Sequence, residues 1–360
     1  MDRLSRENAG HGAEPGNTGG TCLGGFKILW DCAHFSLFYE NAQDPEYVLD
    51  ICSTLSESQL NLPFFTFGLD QRGQYLGITV ESNAAPRAQE ILHNFSAQSD
   101  KAFLKAHKSS ILSIFPHRNR PEIAASLLHA FSESKIQPAA MANSSAAISA
   151  VIDRGLAPQA AQALFGPFCF NTYRTPEDWK LAQKGKEKIY KEIIASYQEK
   201  RPKVYSLNWD LDLDLFEVWS PSDGLGSFAE LIRRLDRAEV NLAFLVSFAV
   251  GVNQEHKFFL AFPHAKLDTV QEDLRHLTSC RIILRPRTVS VFSMNGPHFG
   301  DRYGIAALLF RCFYEALIRP IAVGCTVASI MGLVESDRVK AATEAIKASF
   351  DVPAVMEKQH

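Results

Sequence analysis

Apolar positions along this chain switch repeatedly between two periods. Val48, Ile51, Cys52 and Leu55 recur at i, i+3, i+4 and i+7, the stripe of one helix face, and Ala88, Ile91, Leu92 and Phe95 form a second stripe. Between them, Leu62 to Gly68 and Tyr75 to Val80 read as strands joined across Asp70-Gln71-Arg72-Gly73. The extended run Ile28 to Tyr39 and a loop from Glu40 to Pro45 come first. The resulting order is strand, loop, helix, strand, turn, strand, helix. A second quarter repeats it with strand Ile111 to Phe115, helix Ile123, Leu127, Phe131, a hairpin over Gln137 to Ile152 and a closing helix near Pro158 to Phe165. The third has Leu211 to Trp219, then the stripe Phe228, Leu231, Ile232, Leu235, then strands Leu242 to Val250 and Lys257 to Phe262, closed by Leu267, Val270, Leu274 and Leu277. The fourth has Val289 to Phe292, the stripe Ile305, Leu308, Leu309, Phe313, strands near Ile321 and Ile330, and a stripe of Val339, Ile346 and Phe350.

A β-α-β-β-α-β unit is the ferredoxin-like arrangement, four strands backed by two helices. The expected fold class is therefore α+β, with four ferredoxin-like βαββαβ units at residues 25–98, 108–170, 203–278 and 285–353, arranged as two tandem pairs. Residues 171–202 read as a helical connector, with Pro176 at a helix start and Trp179, Leu181, Ile189, Ile193 and Ile194 as its apolar contacts. Residues 1–24, rich in Gly, Asn and Ser, read as a disordered tail without the apolar segment of a secretory signal.

Internal echoes support a duplication. Ile123-Ala124-Ala125 leads to Leu127 and Phe131, and Ile305-Ala306-Ala307 leads to Leu309 and Phe313, an offset of 182 that also relates Ser144 to Thr326 and Ile148 to Ile330. Asn61-Leu62-Pro63-Phe64 echoes Asn241-Leu242-Ala243-Phe244 at 180, and Trp30-Asp31 echoes Trp209-Asp210 at 179. A repeat defines the building unit of a fold.

Composition narrows the function. With 360 residues and 46% hydrophobic content, the chain can bury several cores. A net charge of −3 provides no electrostatic footprint for nucleic acid or an anionic membrane surface. No apolar run reaches the roughly 18–20 residues of a membrane span, so a cytoplasmic protein is expected. Seven scattered cysteines without a C-x-x-C pair argue against a disulfide framework and a structural zinc site, and all seven read as structural.

The loops before the first helices of the second and fourth quarters carry a resemblance. His117-Arg118-Asn119-Arg120-Pro121-Glu122-Ile123-Ala124-Ala125 and Gly300-Asp301-Arg302-Tyr303-Gly304-Ile305-Ala306-Ala307 resemble the D/N-R-P-G-V-A-A segment of ACT domains, above all the paired ones of aspartokinases. Ala142-Asn143-Ser144-Ser145-Ala146-Ala147-Ile148 is similar to their S-x-S-S-E-x-x-I strand. The resemblance implies small-molecule sensors that pair side by side and bind an amino acid at the shared interface. It departs at Glu122, where the family has Gly, and at Ala146, where it has Glu; the fourth quarter keeps Gly304 in a longer loop. A loop feeding a helix N-terminus offers unpaired N–H groups and a favourable dipole to a carboxylate. Candidate ligand-binding residues are Asn295, His298, Gly300, Asp301, Arg302, Gly304, Ile305 and Thr326 in the fourth quarter, and Asn119, Arg120, Asn143 and Ser144 in the second. Helix capping accounts for any one of these loop residues equally well.

Other motifs weigh less. Gly224-Leu225-Gly226-Ser227-Phe228-Ala229 matches G-x-G-x-x-A, but no acidic residue follows at ribose-binding distance, so it reads as a tight turn into a helix. Gly19-Gly20-Thr21 is similar to the aspartokinase catalytic opening but lacks its Lys. Asp210, Asp212 and Asp214 alternate along one strand and read as a solvated edge. No Ser/His/Asp or Cys/His arrangement stands out, and no metal or cofactor is expected. The functional expectation is a non-catalytic regulatory protein with an amino-acid ligand, a homodimer or enzyme partner possible, and neither nucleic acid nor membrane. Alternatives are an enzyme, a structural interaction module with decayed sites, or a regulatory subunit of an amino-acid biosynthetic enzyme.

Overall fold

Two pairs of long strands carry the architecture. The computed structural model describes residues 21–358 apart from 41–43, 98–101, 145, 172, 184–200, 252–254, 265–280, 297–298, 300–301 and 327–328, and of 281–287 it describes the backbone alone. After a short β1 (Thr21–Leu23), β2 (Gly25–Glu40) runs antiparallel to β5 (Ala102–Phe115). Likewise β9 (Ser206–Ser220) runs antiparallel to β12 (Arg281–Asn295).

Each long strand works in two places. The second half of β2 pairs with β4 (Gly73–Glu81), while the second half of β5 pairs with β7 (Ile148–Asp153). In the other pair, β9 meets β11 (Glu255–Pro263) and β12 meets β14 (Ser329–Glu335). A bulge marks each change of partner: Trp30-Asp31 stand opposite Ser110, and Leu211-Asp212 opposite Ser290, with Asp31 and Asp212 at φ 58 and 55. Such bulges bend a strand and raise its twist. Trp30-Asp31 therefore corresponds to Leu211-Asp212 and not, as the sequence echo has it, to Trp209-Asp210. Trp209 lies fully buried beside Phe292, while Trp30 is half-buried near Trp179. The same bulge breaks the expected alternation of the aspartates: Asp214 is buried and accepts a 2.9 Å bond from His264.

The order strand, helix, strand, strand recurs four times among the described residues. The first repeat is β2, α1 (Glu46–Glu57), β3 (Phe64–Asp70) and β4, followed by α2 (Ala85–Ser96). The second is β5, α3 (Pro121–Glu133), β6 (Ala140–Asn143) and β7, followed by α4 (Ala157–Ala163) and β8 (Phe168–Phe170). After α5 (Pro176–Gln183), the third is β9, α6 (Leu225–Arg237), β10 (Phe244–Val250) and β11. The fourth is β12, α7 (Ile305–Glu315), β13 (Ala322–Cys325) and β14, followed by α8 (Val339–Ser349) and β15 (Val355–Lys358). Leu267, Val270, Leu274 and Leu277, Ile189, Ile193, Ile194 and residues 1–20 lie outside the described residues. In α5, Trp179 is buried as expected of a contact, but Leu181 is exposed.

Within each copy the repeats join through their long strands, β2 to β5 and β9 to β12, and across the copies they join through short strands and helices. β3 joins β13, and α1 packs on α7, so the first repeat stands beside the fourth. β6 joins β10, and α3 packs on α6, so the second stands beside the third. The long strands hold neighbouring repeats together, while α1 and α3 lie over different cores, so each of these helices finds its helical partner in the other copy. What remains free in each copy is a sheet edge, and joining edges across copies removes a hazard. Following the ladders gives a closed ring, β9-β11-β10-β6-β7-β5-β2-β4-β3-β13-β14-β12 and back to β9, with β15 attached outside. The ring is flattened: a Cβ on Gly68 of β3 would touch Phe248 and Phe259, and one on Gly324 of β13 would touch Ala142 and Val246.

Three cores result, one under each helical layer and one between the sheets. Phe131 of α3 and Phe313 of α7 are fully buried, each contributing about 2–3 kcal/mol by burial. Between the sheets lies a charged cluster that no sequence pattern shows. Lys257 bonds Asp70 at 2.8 Å and Glu217 at 2.5 Å, all three within 3% exposure, over the rings of Trp219 and Phe259.

The cysteine expectation is corrected in one respect. Strands β1 and β8 pair in parallel with Cys22 opposite Cys169, and the two form a disulfide. They lie 147 residues apart, a separation at which spacing carries no pairing signal. Thr21 to Leu23 thus form a strand where a tail was expected. Cys32, Cys52, Cys312 and Cys325 are buried free thiols, the small hydrophobes expected of them; Cys280 lies outside the described residues.

Candidate functional site

Helix α7 begins at a residue that only glycine suits. Gly304 has φ +85, and a Cβ there would stand 2.7 Å from Ser56 Oγ on α1. The first intrahelical bond at this end, from Leu308 N to Gly304 O, leaves the N–H groups of Ile305, Ala306 and Ala307 without helical partners. These groups border a cavity of about 20 Å³ between the first and fourth repeats. Cys52 and Ser56 wall it from α1, Leu60 from the turn after it, Phe65 from β3, Phe299 and Arg302 from the loop before α7, and Cys325 and Ile330 from the hairpin.

Burial pushes the Cys325 thiol up to about 12, and burial beside Cys325 pushes Cys52 up as well. The two thiols are therefore neutral, and the helix N-terminus together with Arg302 favours an anion. The volume holds about one water, so any larger molecule enters only when α1 and α7 separate.

The other fourth-repeat candidates divide. Asn295 and Thr326 are turned to local work: Asn295 Oδ1 accepts a 2.7 Å bond from Ser329 Oγ, and Thr326 N donates to Ser329 O at 2.8 Å. Neither lines the cavity. His298, Gly300 and Asp301 lie outside the described residues. Ser56, Cys52 and Phe65 were not anticipated, because they come from a distant repeat.

The second and third repeats build the same arrangement from different residues. The loop 117–120 crosses with Arg118 and Asn119 at φ 55 and 54, and Asn119 O accepts from Leu242 N at 3.1 Å. At the head of α3, Glu122 N donates to Asp236 Oδ1 of α6 at 3.2 Å. The Glu122 carboxylate bonds Arg120 and accepts from Thr21 Oγ1 at 2.6 Å, which lays β1 against this end. Asn143 Oδ1 accepts from Leu245 N at 2.7 Å, tying β6 to β10. Ser144 closes a turn with Ala147, its N–H donating to Ala147 O at 2.7 Å. His117 is fully buried with Nδ1 3.1 Å from Ser144 O, and burial brings it down to about 4, so the ring is neutral. Asn119 and Asn143 thus bond across to the third repeat, while Arg120 and Ser144 bond within the second. Asp236 was missed; its only sequence signal is its offset of 180 from Ser56.

Among the described residues no group of three or more His, Cys, Asp and Glu is placed to hold a metal, and no helix is long and apolar enough to cross a membrane. Gly224 does open α6 after a tight turn, where a Cβ would meet Ser220 Oγ at 2.4 Å.

No family model and no curated protein matches the chain. Solved structures do. Aspartate kinase from Synechocystis superposes with a TM-score of 0.75 at 15% identity, covering 92% of this chain and 56% of that one. The chain therefore spans little more than half the length of that enzyme. The regulatory subunit of aspartate kinase from Thermus flavus aligns over 40% of this chain and 97% of its own, at 22% identity and a TM-score of 0.36. Aspartokinase III of E. coli, solved with lysine and aspartate, aligns over 43% of this chain and 35% of its own, at 16% identity and a TM-score of 0.32. The Synechocystis likeness establishes the fold: mixed α and β with a large sheet, similar to aspartate kinase. It also corrects the expectation of a non-catalytic protein, since the structure covering nearly all of this chain is that of an enzyme.

Proposed function

We propose that this chain is an amino-acid-sensing regulatory region of an aspartate-kinase-like protein, built from four ACT-like, ferredoxin-like units at 25–98, 108–170, 203–278 and 285–353. The observation that carries the reading is the α7 N-terminus, opening through Gly304 onto a cavity shared by two repeats. The ligand carboxylate meets the N–H groups of Ile305, Ala306 and Ala307. Asp301, by its resemblance to the family segment, meets the ammonium group. Because the cavity is closed to anything larger than water, binding selects a state with α1 and α7 apart. That movement passes to an attached or partner catalytic unit as a shift between two packings.

A thermal-shift screen of the twenty amino acids tests this, since a ligand that binds the folded state raises its apparent stability. Stabilisation by one or two of them is expected, and loss of the response in Asp301→Ala and in Gly304→Glu. A flat screen, or an unchanged response in both variants, rejects the site.

A further inference from the structure

We infer that Asp236 is a resident carboxylate filling the second–third interface in place of a free ligand, and that Ser56 keeps the first–fourth interface receptive. This rests on the functional reading above for what Ser56 admits, but not for what Asp236 occupies.

The two positions are the same position. Ser56 and Asp236 lie 180 residues apart, each at the C-terminal end of the helix that packs beside the helix opening the partner repeat. Gly304 and Glu122, which face them, lie 182 apart. Ser56 Oγ approaches Gly304, whereas the Asp236 carboxylate accepts the backbone N–H of Glu122 at 3.2 Å. A carboxylate at a helix N-terminus satisfies both the orphan donor and the dipole. Serine offers a neutral hydroxyl and less bulk.

A second observation separates a filled ligand site from an ordinary cap. The second–third interface retains polar groups without partners among the described residues. His117 and Asn143, 0% and 1% exposed, leave Nε2 and Nδ2 unbonded, and Asn119 leaves Oδ1 unbonded. Buried polar atoms are paired in the great majority of cases. Three orphans around one helix start mark a polar site whose carboxylate position is taken by the chain and whose other positions are not. The equivalents of His117 and Asn143 in the fourth repeat are Phe299 and Cys325, so the receptive interface lacks the orphans of those two positions. Asp236 thus acts as a built-in occupant, holding α3 and α6 in the bound arrangement, and the chain responds through one interface.

Chemical rescue tests this. Asp236→Ala is expected to melt lower than the native chain and to recover at least half of the loss in sodium acetate. Sodium chloride of equal ionic strength should not restore it, and acetate should leave the native chain unmoved. An Asp236→Ala melt that acetate and chloride affect alike overturns the inference and leaves a simple helix cap. The converse variant, Ser56→Asp, is expected to melt higher and to lose the amino-acid response found in the twenty-compound screen. Should Asp236→Ala not fold, this arm decides alone, and a retained response overturns the inference. A flat screen with acetate rescue of Asp236→Ala rejects the functional reading while the resident carboxylate stands. A native response that persists in Ser56→Asp rejects the role of Ser56 while the functional reading stands.

Discussion

The first–fourth and second–third interfaces share a plan and differ in what stands at the helix start. One presents Gly304 to Ser56 around a small cavity walled by thiols, apolar side chains and Arg302. The other presents Glu122 to Asp236, with Arg120 and Thr21 drawn onto the Glu122 carboxylate. A duplicated scaffold needs edge pairing at both places, because β3, β13, β6 and β10 would otherwise be open edges. It needs receptivity at only one. The difference shows how little chemistry separates the two interfaces: a carboxylate on one helix and a glycine on the next.

The comparison can be broken hardest at the cluster that couples the two halves. Lys257 and Glu217 belong to the third repeat and Asp70 to the first. Lys257→Ala removes the buried ammonium group that Asp70 and Glu217 share, which should cost about 3–5 kcal/mol. Hydrogen exchange is expected to lose protection in α1 and α7 together with α3 and α6. Loss on one side alone would show that the interfaces are independent bodies.

Acid should separate them next. His117 in the second repeat and His256, bonded to Gln137 across the second–third boundary, are both held near 4 by burial. Each stays neutral in the folded chain while the unfolded chain takes a proton below about 6.5. Stability is therefore untouched above that pH and falls as pH drops from about 6.5 to about 4. At pH 5 the loss is on the order of 2 kcal/mol per histidine. His34, also lowered by burial and by His107 beside it, lies in β2 and adds a shared loss. Amide exchange at pH 5 should rise more in α3 and α6 than in α1 and α7, and His117→Gln should reduce that contrast.

The smallest effect is the most local. Gly304→Ala places a Cβ at φ +85 and 2.7 Å from Ser56 Oγ, which should cost about 1–2 kcal/mol. Glu122→Gly, the reverse change at the equivalent place, should cost about 1 kcal/mol or less. Denaturant midpoints of the two variants measure the asymmetry, and equal losses would contradict it.

The helix starts were legible because their residues act locally. The repeated Ile-Ala-Ala and the loops before it do lead into α3 and α7, while β3 and β10 begin at Phe64 and Phe244, each two residues later than the expected Leu62 and Leu242. The side chains opposite them were not legible. Ser56 and Asp236 sit at the ends of helices α1 and α6, among exposed positions where no pattern distinguishes a solvated residue from one that meets another repeat. Asn295 and Thr326 were plausible ligand contacts by spacing, yet hairpin hydrogen bonds claim both. Nor was the Trp30 echo reliable, since a bulge moved the equivalence two residues away.

By itself, the sequence determined the alternation of strands and helices, the positions that face a core, and where a glycine must open a helix. Each is set by side-chain periodicity or by backbone sterics within a few residues. The tertiary structure decided which repeats stand side by side, that Cys22 meets Cys169, that Lys257 joins two repeats, and that one interface holds its own carboxylate. Those depend on how long strands bend and pass between sheets, bringing together residues more than a hundred positions apart. No local periodicity encodes such a meeting.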